Sequence, residues 1–129
     1  MPNCFFILRL RFDAYDEKTK DLFLSCKEVT EPKITMLKEQ QDETLHEKHL
    51  PKVEIEKCHV KVKIGDIMHP MTPEHYITLI FLETDKGGQL KHLTYSDKPV
   101  VCFKLNDEEK PIAVYEYCTL HGLWKTEIK

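Results

Sequence analysis

Val60-Lys61-Val62-Lys63-Ile64-Gly65-Asp66 alternates apolar and charged side chains and then turns, the pattern of a half-buried β-strand. The same period of two appears upstream in Val53 and Ile55. Downstream it runs through Ile77, Leu79 and Phe81, then Leu90 and Leu93, then Val101, Phe103 and Leu105, while Ile112, Val114 and Glu116 keep it less cleanly. Turn chemistry separates these runs at Gly65-Asp66, Lys86-Gly87-Gly88, Asp97-Lys98-Pro99 and Asn106-Asp107. Six or so short strands in about 80 residues, with no helical period between them, predict an immunoglobulin-like antiparallel β-sandwich. Functional groups are then expected in the loops at one end, where a stiff scaffold holds irregular backbone.

The first part of the chain is chemically different. All seven histidines lie between His46 and His121, and no glycine precedes Gly65. Phe6, Leu8, Leu10 and Phe12 alternate with Ile7, Arg9 and Arg11, and Leu22 and Leu24 follow a polar turn between Asp16 and Asp21. This predicts a hairpin with one buried face, a small N-terminal β extension of an all-β protein. Ile34 and Leu37 belong to a third strand or a short helical turn. The polar, acidic residues 40–44 look like a linker, which sets the expected boundary between a segment 1–44 and a sandwich domain 45–129.

Composition excludes several classes of function. Nineteen Lys and Arg against 22 Asp and Glu give a net charge of −3, which is not the basic footprint of a nucleic-acid binder. Hydrophobic residues make up 41% and charged residues 32%, a globular profile. The longest apolar runs fall far short of the ~20 residues of a membrane helix, so no membrane association is expected. No basic leader precedes the first apolar stretch, and a cytoplasmic location is expected. Five cysteines, at 4, 26, 58, 102 and 118, are an odd number without any C-x-x-C pair. That spacing suits reduced thiols and argues against zinc ribbons and thioredoxin-type redox pairs.

Five soft or borderline metal ligands fall just outside the predicted strands. His49 precedes Pro51, His69 and His75 bracket Pro70-Met71-Thr72-Pro73-Glu74, and Cys118 and His121 follow the last predicted strand. Prolines at 51, 70 and 73 stiffen these loops, and Gly122 permits a positive φ after the Cys118-Thr119-Leu120-His121 turn. A single histidine is more often a surface or core residue, and His46, His59 and His92 are read that way. Four histidines and a cysteine at adjoining strand ends are different. Structural zinc closes at four donors, and blue copper uses two histidines, a cysteine and usually an axial methionine, which is absent here. Four imidazoles and a thiolate form a square pyramid with one position open, which suits Fe(II) and a small oxygen species. A thiolate would push electron density toward the metal. A cupredoxin-like electron-transfer module, or a non-catalytic metal-binding module, is the alternative.

Three segments carry a family resemblance: Glu47-Lys48-His49-Leu50-Pro51, His69-Pro70-Met71-Thr72-Pro73-Glu74-His75-Tyr76-Ile77 and Tyr115-Glu116-Tyr117-Cys118-Thr119-Leu120-His121-Gly122-Leu123-Trp124. In this order they resemble the motifs of the superoxide reductases (desulfoferrodoxin and neelaredoxin), over roughly residues 46 to 125. The resemblance implies a mononuclear non-haem iron held equatorially by His49, His69, His75 and His121 and axially by Cys118. It implies that Glu47 occupies the sixth position of the oxidised form and that Lys48 draws superoxide to the ferrous one. The implied reaction is one-electron reduction of superoxide to hydrogen peroxide. The implied partners are rubredoxin or a similar electron donor and a second copy of the chain in a homodimer. The family motif usually has asparagine where this chain has Thr119. Two-domain members bind a second iron through four N-terminal cysteines. Cys4 and Cys26 cannot form that tetrathiolate, so segment 1–44 is expected to be a desulforedoxin-like remnant without its metal site.

Overall fold

The computed structural model describes residues 11–16, 22–25, 34–36, 40–41 and 43–128. Phe6 to Leu10, Leu37, Cys4 and Cys26, named in the sequence reading, lie outside the described residues. The chain divides into two compact units, Met1–Lys38 and Glu39–Lys129.

In the first unit β1 (Arg11–Asp16) pairs antiparallel with β2 (Leu22–Ser25) and with β3 (Ile34–Met36), giving the order β2-β1-β3. The segment at Ile34, open between strand and helical turn, is a strand. Of the residues named for the hairpin, Phe12 lies on β1 and Leu22 and Leu24 on β2.

The second unit is the sandwich. A 3₁₀ turn (Glu43–Leu45) and a four-residue helical turn, α1 (His46–His49), lead into β4 (Pro51–Glu56) and β5 (His59–Ile64). There follow β6 (Ile77–Thr84), β7 (Gly87–His92), β8 (Val100–Lys104), β9 (Pro111–Cys118) and β10 (Gly122–Glu127). One sheet has the order β10-β9-β6-β7 and the other β4-β5-β8, and every pairing is antiparallel. Val60, Val62, Ile64 and Phe103 from the smaller sheet meet Ile77, Ile80, Leu82, Val114 and Cys118 from the larger in one buried core. The aligned inner faces of two sheets form the fold class that the alternation predicted.

Two features differ from the sequence reading. Ile77, Leu79 and Phe81 do not share a face: the register of β6 against β9 shifts between Ile77 and Leu79, so Ile77, Ile80 and Leu82 enter the core. Leu79 and Phe81 point the other way, opposite Tyr117 and Tyr115, and are also buried. One extra residue in a strand inverts the alternation beyond it. In addition, Cys118 and His121 do not follow the last strand. Cys118 ends β9, and a further strand, β10, returns from Gly122. Leu123 and Trp124 are adjacent and both buried, which hid the period of two.

Gln40, in the stretch read as a linker, is bonded to β10. The Gln40 amide donates to the Leu123 carbonyl at 2.9 Å, and residues 43–45 already turn in 3₁₀ geometry. Pro51 ends the helical turn, because the residue before a proline avoids α geometry; Leu50 is extended (φ −70°, ψ 129°).

Candidate metal centre

The site lies at the sandwich end where α1 meets β4, the β5–β6 connection and the β9–β10 turn. Gly65, at φ +87°, lets the chain leave β5 against α1: its amide donates to Leu50 O at 3.0 Å, and a Cβ there would stand 2.8 Å from Lys48 O. The Asp66 amide donates to Glu47 O at 2.7 Å. These bonds seat the Glu47-Lys48-His49 turn on the connection that carries His69 and His75.

Each ring is oriented by its own loop. His49 is 2% exposed and its Nδ1–H donates to Leu45 O at 2.9 Å. His69 is equally buried and its Nδ1–H donates to Pro70 O at 2.7 Å. His75 is set in a tight turn with Thr72, the two exchanging backbone hydrogen bonds at 3.0 and 3.1 Å. Cys118 is fully buried at the end of β9, paired across the sheet with Gly122 and with Ile77.

The four imidazoles stand at the corners of a quadrilateral. Ring centroids are 4.7 Å apart for His49 and His69, 4.6 Å for His69 and His75, 5.1 Å for His75 and His121, and 4.7 Å for His121 and His49. The diagonal from His49 to His75 is 6.2 Å. Neighbouring rings are steeply inclined, at 73 to 81°. The ligand atoms of His49, His75, Cys118 and His121 all lie within 4.8 Å of one another. His69 joins them with its Nε2 at 3.2 Å from His49 Nε2 and 3.4 Å from Cys118 Sγ. Cys118 Sγ is also 3.8 Å from His121 Nδ1.

This geometry fits a cation and is poorly explained by hydrogen bonds. With Nδ1 protonated toward a carbonyl, His49 and His69 each turn a bare Nε2 lone pair to the other, and two lone pairs repel. Two nitrogens bound at ~2.1 Å and at right angles around one ion stand about 3.0 Å apart. The observed separations are 3.2 Å for His49 to His69 and 3.0 Å for His49 Nε2 to His121 Nδ1. His75 Nε2 is buried without a hydrogen-bond partner among the described residues, as a group awaiting a metal is.

The electrostatics agree. Burial lowers the pKa of His69 to about 4 and, with neighbouring imidazoles contributing, lowers His49 and His75 as well. All three rings are thereby kept neutral, the form that binds metal. Lys48 is near enough that its charge adds to the lowering at both His49 and His75. Burial raises the Cys118 thiol, and the His121 and Leu120 amides directed at the sulfur oppose that shift. Glu47 and Lys48 are exposed on α1, immediately before His49. His59 and His92 are exposed and outside the group, and His46 packs edge-on to Trp124, 5.9 Å away.

Two contributors were missed. Trp124 stacks on His49, and Thr119 holds the loop on both sides of His75. Neither residue type is a ligand. The usable signal was position: a lone tryptophan three residues after His121, and a hydroxyl immediately after Cys118.

The fold gathers five nitrogen- and sulfur-bearing side chains at one end of a β-sandwich, four of them in a group that could hold a metal ion. Four converging imidazoles exceed the two of a cupredoxin site, so the copper alternative loses its support. The family model described as Desulfoferrodoxin matches residues 40–127. The desulfoferrodoxin of Syntrophotalea carbinolica is 38% identical over 94 residues, 73% of either chain. The superoxide reductase of Treponema pallidum superposes with a TM-score of 0.78 at 34% identity, over 93% of this chain and 99% of that one. A one-iron superoxide reductase from Giardia intestinalis gives 0.57 at 29% identity, over 64% of this chain and 98% of its own. The chain belongs to the desulfoferrodoxin family. Among the described residues no helix is long and apolar enough to cross a membrane.

Proposed function

We propose that this chain is a superoxide reductase: it converts superoxide, one electron and two protons into hydrogen peroxide at a single iron held by His49, His69, His75, His121 and Cys118. The observation that carries this is the imidazole quadrilateral with Cys118 sulfur against it, at donor spacings that suit one ion. The names of the relatives support the same substrate and metal.

Iron held by His49, His69, His75, His121 and Cys118 would supply the electron and a coordination position for superoxide. The chain's residues do the rest. Neutral imidazoles would hold such an ion without adding negative charge, while the Cys118 thiolate would add electron density to it. The Lys48 ammonium attracts the superoxide anion, acting as a cation more than as an acid. Protons arrive through water. Glu47 would offer an oxygen donor to the oxidised site.

Each turnover consumes one electron. Segment 1–44 contains only Cys4 and Cys26, too few for a tetrathiolate iron, so it serves as a structural remnant, and the sandwich domain 45–129 carries the site. An external donor, rubredoxin or a comparable small carrier, must then restore the ferrous form. A cytoplasmic homodimer is the matching setting.

Metal analysis and the visible spectrum test this together. A single iron per chain, a thiolate-to-iron charge-transfer band in the oxidised protein, and peroxide produced from superoxide generated by pulse radiolysis are expected. Copper, two irons with a tetrathiolate spectrum, or a metal-free protein would overturn it.

A further inference from the structure

Trp124 is the chain's one tryptophan and is fully buried. It lies on β10 opposite Glu116 of β9, so it faces the same side of the sheet as Cys118. A buried indole needs an acceptor for its single N–H and a partner for its faces. Here both come from residues of the metal centre. The indole N–H donates to the His121 carbonyl at 3.2 Å. The ring stacks on His49 at 4.9 Å with an interplanar angle of 24°, and His46, from the same helical turn, meets it edge-on.

These contacts act on freedoms that the other bonds leave. His49 is tied through Nδ1 to Leu45 O, and a ring held by one hydrogen bond can still swing about it. A stacked plane removes that swing. The turn from Cys118 to His121 is fixed at Gly122 by its positive φ, and the His121 carbonyl is fixed by the indole. One side chain thus sets the relative position of two rings 72 residues apart in sequence, whose nitrogens come within 3.0 Å.

We propose that Trp124 is a positioning residue of the metal centre, orienting His49 by stacking and His121 through its carbonyl, and that it seats the turn bearing Glu47 and Lys48. This rests on His49 and His121 being ligands. Ordinary core packing would ask for burial alone, whereas residues that orient ligands govern affinity and spectrum.

Cobalt(II) added to the purified full-length, metal-free chain is the probe, because its absorption reports ligand geometry and it quenches nearby indole fluorescence. In the parent, fluorescence should fall in step with the thiolate-to-cobalt band. Trp124→Phe keeps a stacking face and loses the N–H; it should retain most of the affinity and shift the cobalt bands. Trp124→Leu loses both contacts and should bind cobalt ~10- to 100-fold more weakly. Phe103→Leu, a core change on β8, controls for general loosening and should leave bands and affinity in place. If Trp124→Leu does not fold, the band shift in Trp124→Phe decides. Unchanged bands and affinity in the Trp124 variants, or an equal shift in Phe103→Leu, would overturn the role of Trp124 alone. A parent that binds no cobalt would overturn the metal-centre reading and this role with it.

Discussion

Thr119 and Tyr76 are tied twice: the Thr119 hydroxyl accepts the Tyr76 amide at 3.2 Å, and the Thr119 amide donates to the Tyr76 carbonyl at 3.0 Å. The same hydroxyl donates to Glu74 O at 3.4 Å. One side chain therefore brackets His75 from both sides and couples its loop to the Cys118 turn.

A hydroxyl that both donates and accepts can be replaced by serine or by asparagine, the residue more usual in the family motif, but not by valine. Thr119→Val should weaken metal binding by ~10-fold, as loss of a group that orients a ligand does. Thr119→Ser and Thr119→Asn should stay close to the parent. Chelator competition on the loaded proteins measures all three.

Cys118→Ser should remove the thiolate charge-transfer band of the oxidised protein and most of the superoxide reduction, because a hydroxyl does not supply the electron density of a thiolate. Visible spectroscopy and pulse radiolysis on one preparation check this, and survival of band and activity together would remove Cys118 from the ligand set.

Lys48 and Glu47 are neighbours assigned opposite effects. Lys48→Ala should keep the iron and slow the second-order reaction with superoxide by ~10-fold, a loss that shrinks as salt screens the charge. Glu47→Ala should leave that rate unchanged or slightly faster and alter the oxidised spectrum. Rate measurements at two ionic strengths separate the pair.

Glu116 is fully buried on β9, and neither carboxylate oxygen has a hydrogen-bond partner among the described residues. Burial holds its pKa well above the ordinary value of 4.5. A carboxyl that keeps its proton longer folded than unfolded contributes stability below pH 4.5, and loses it as pH rises through the raised pKa. Glu116→Gln keeps the shape and cannot ionise. Thermal melts of the metal-free protein should show a higher midpoint for the variant at pH 8, by about 4–8 °C per kcal/mol recovered, and little difference near pH 4.

The sandwich was legible because β5 has one wet face, so Val60, Val62 and Ile64 mark the core unaided. β6 and β10 were harder for the opposite reason. Where both faces are buried, alternation vanishes: Leu79 and Phe81 looked like core partners of Ile77 until the register shift separated them. All five candidate donors were visible as residue types close to Pro and Gly, although His49 lies on α1 and Cys118 on β9. What holds them was not, since Trp124 and Thr119 act through a ring face and a backbone carbonyl, contacts that arise only once β10 folds back on β9 and β9 pairs with β6.

The donors run from His49, at the start of the sandwich, to His121, beside its last strand, with His69 and His75 between. An ion that binds this arrangement, and not the open chain, adds its binding free energy to folding itself. Iron bound there would also be a clasp, joining the first and last turns of the domain where the described cysteines, Cys58, Cys102 and Cys118, form no disulfide. Fraying of β10 and loss of the metal become a single event, and a chelator should act on this protein as a denaturant does.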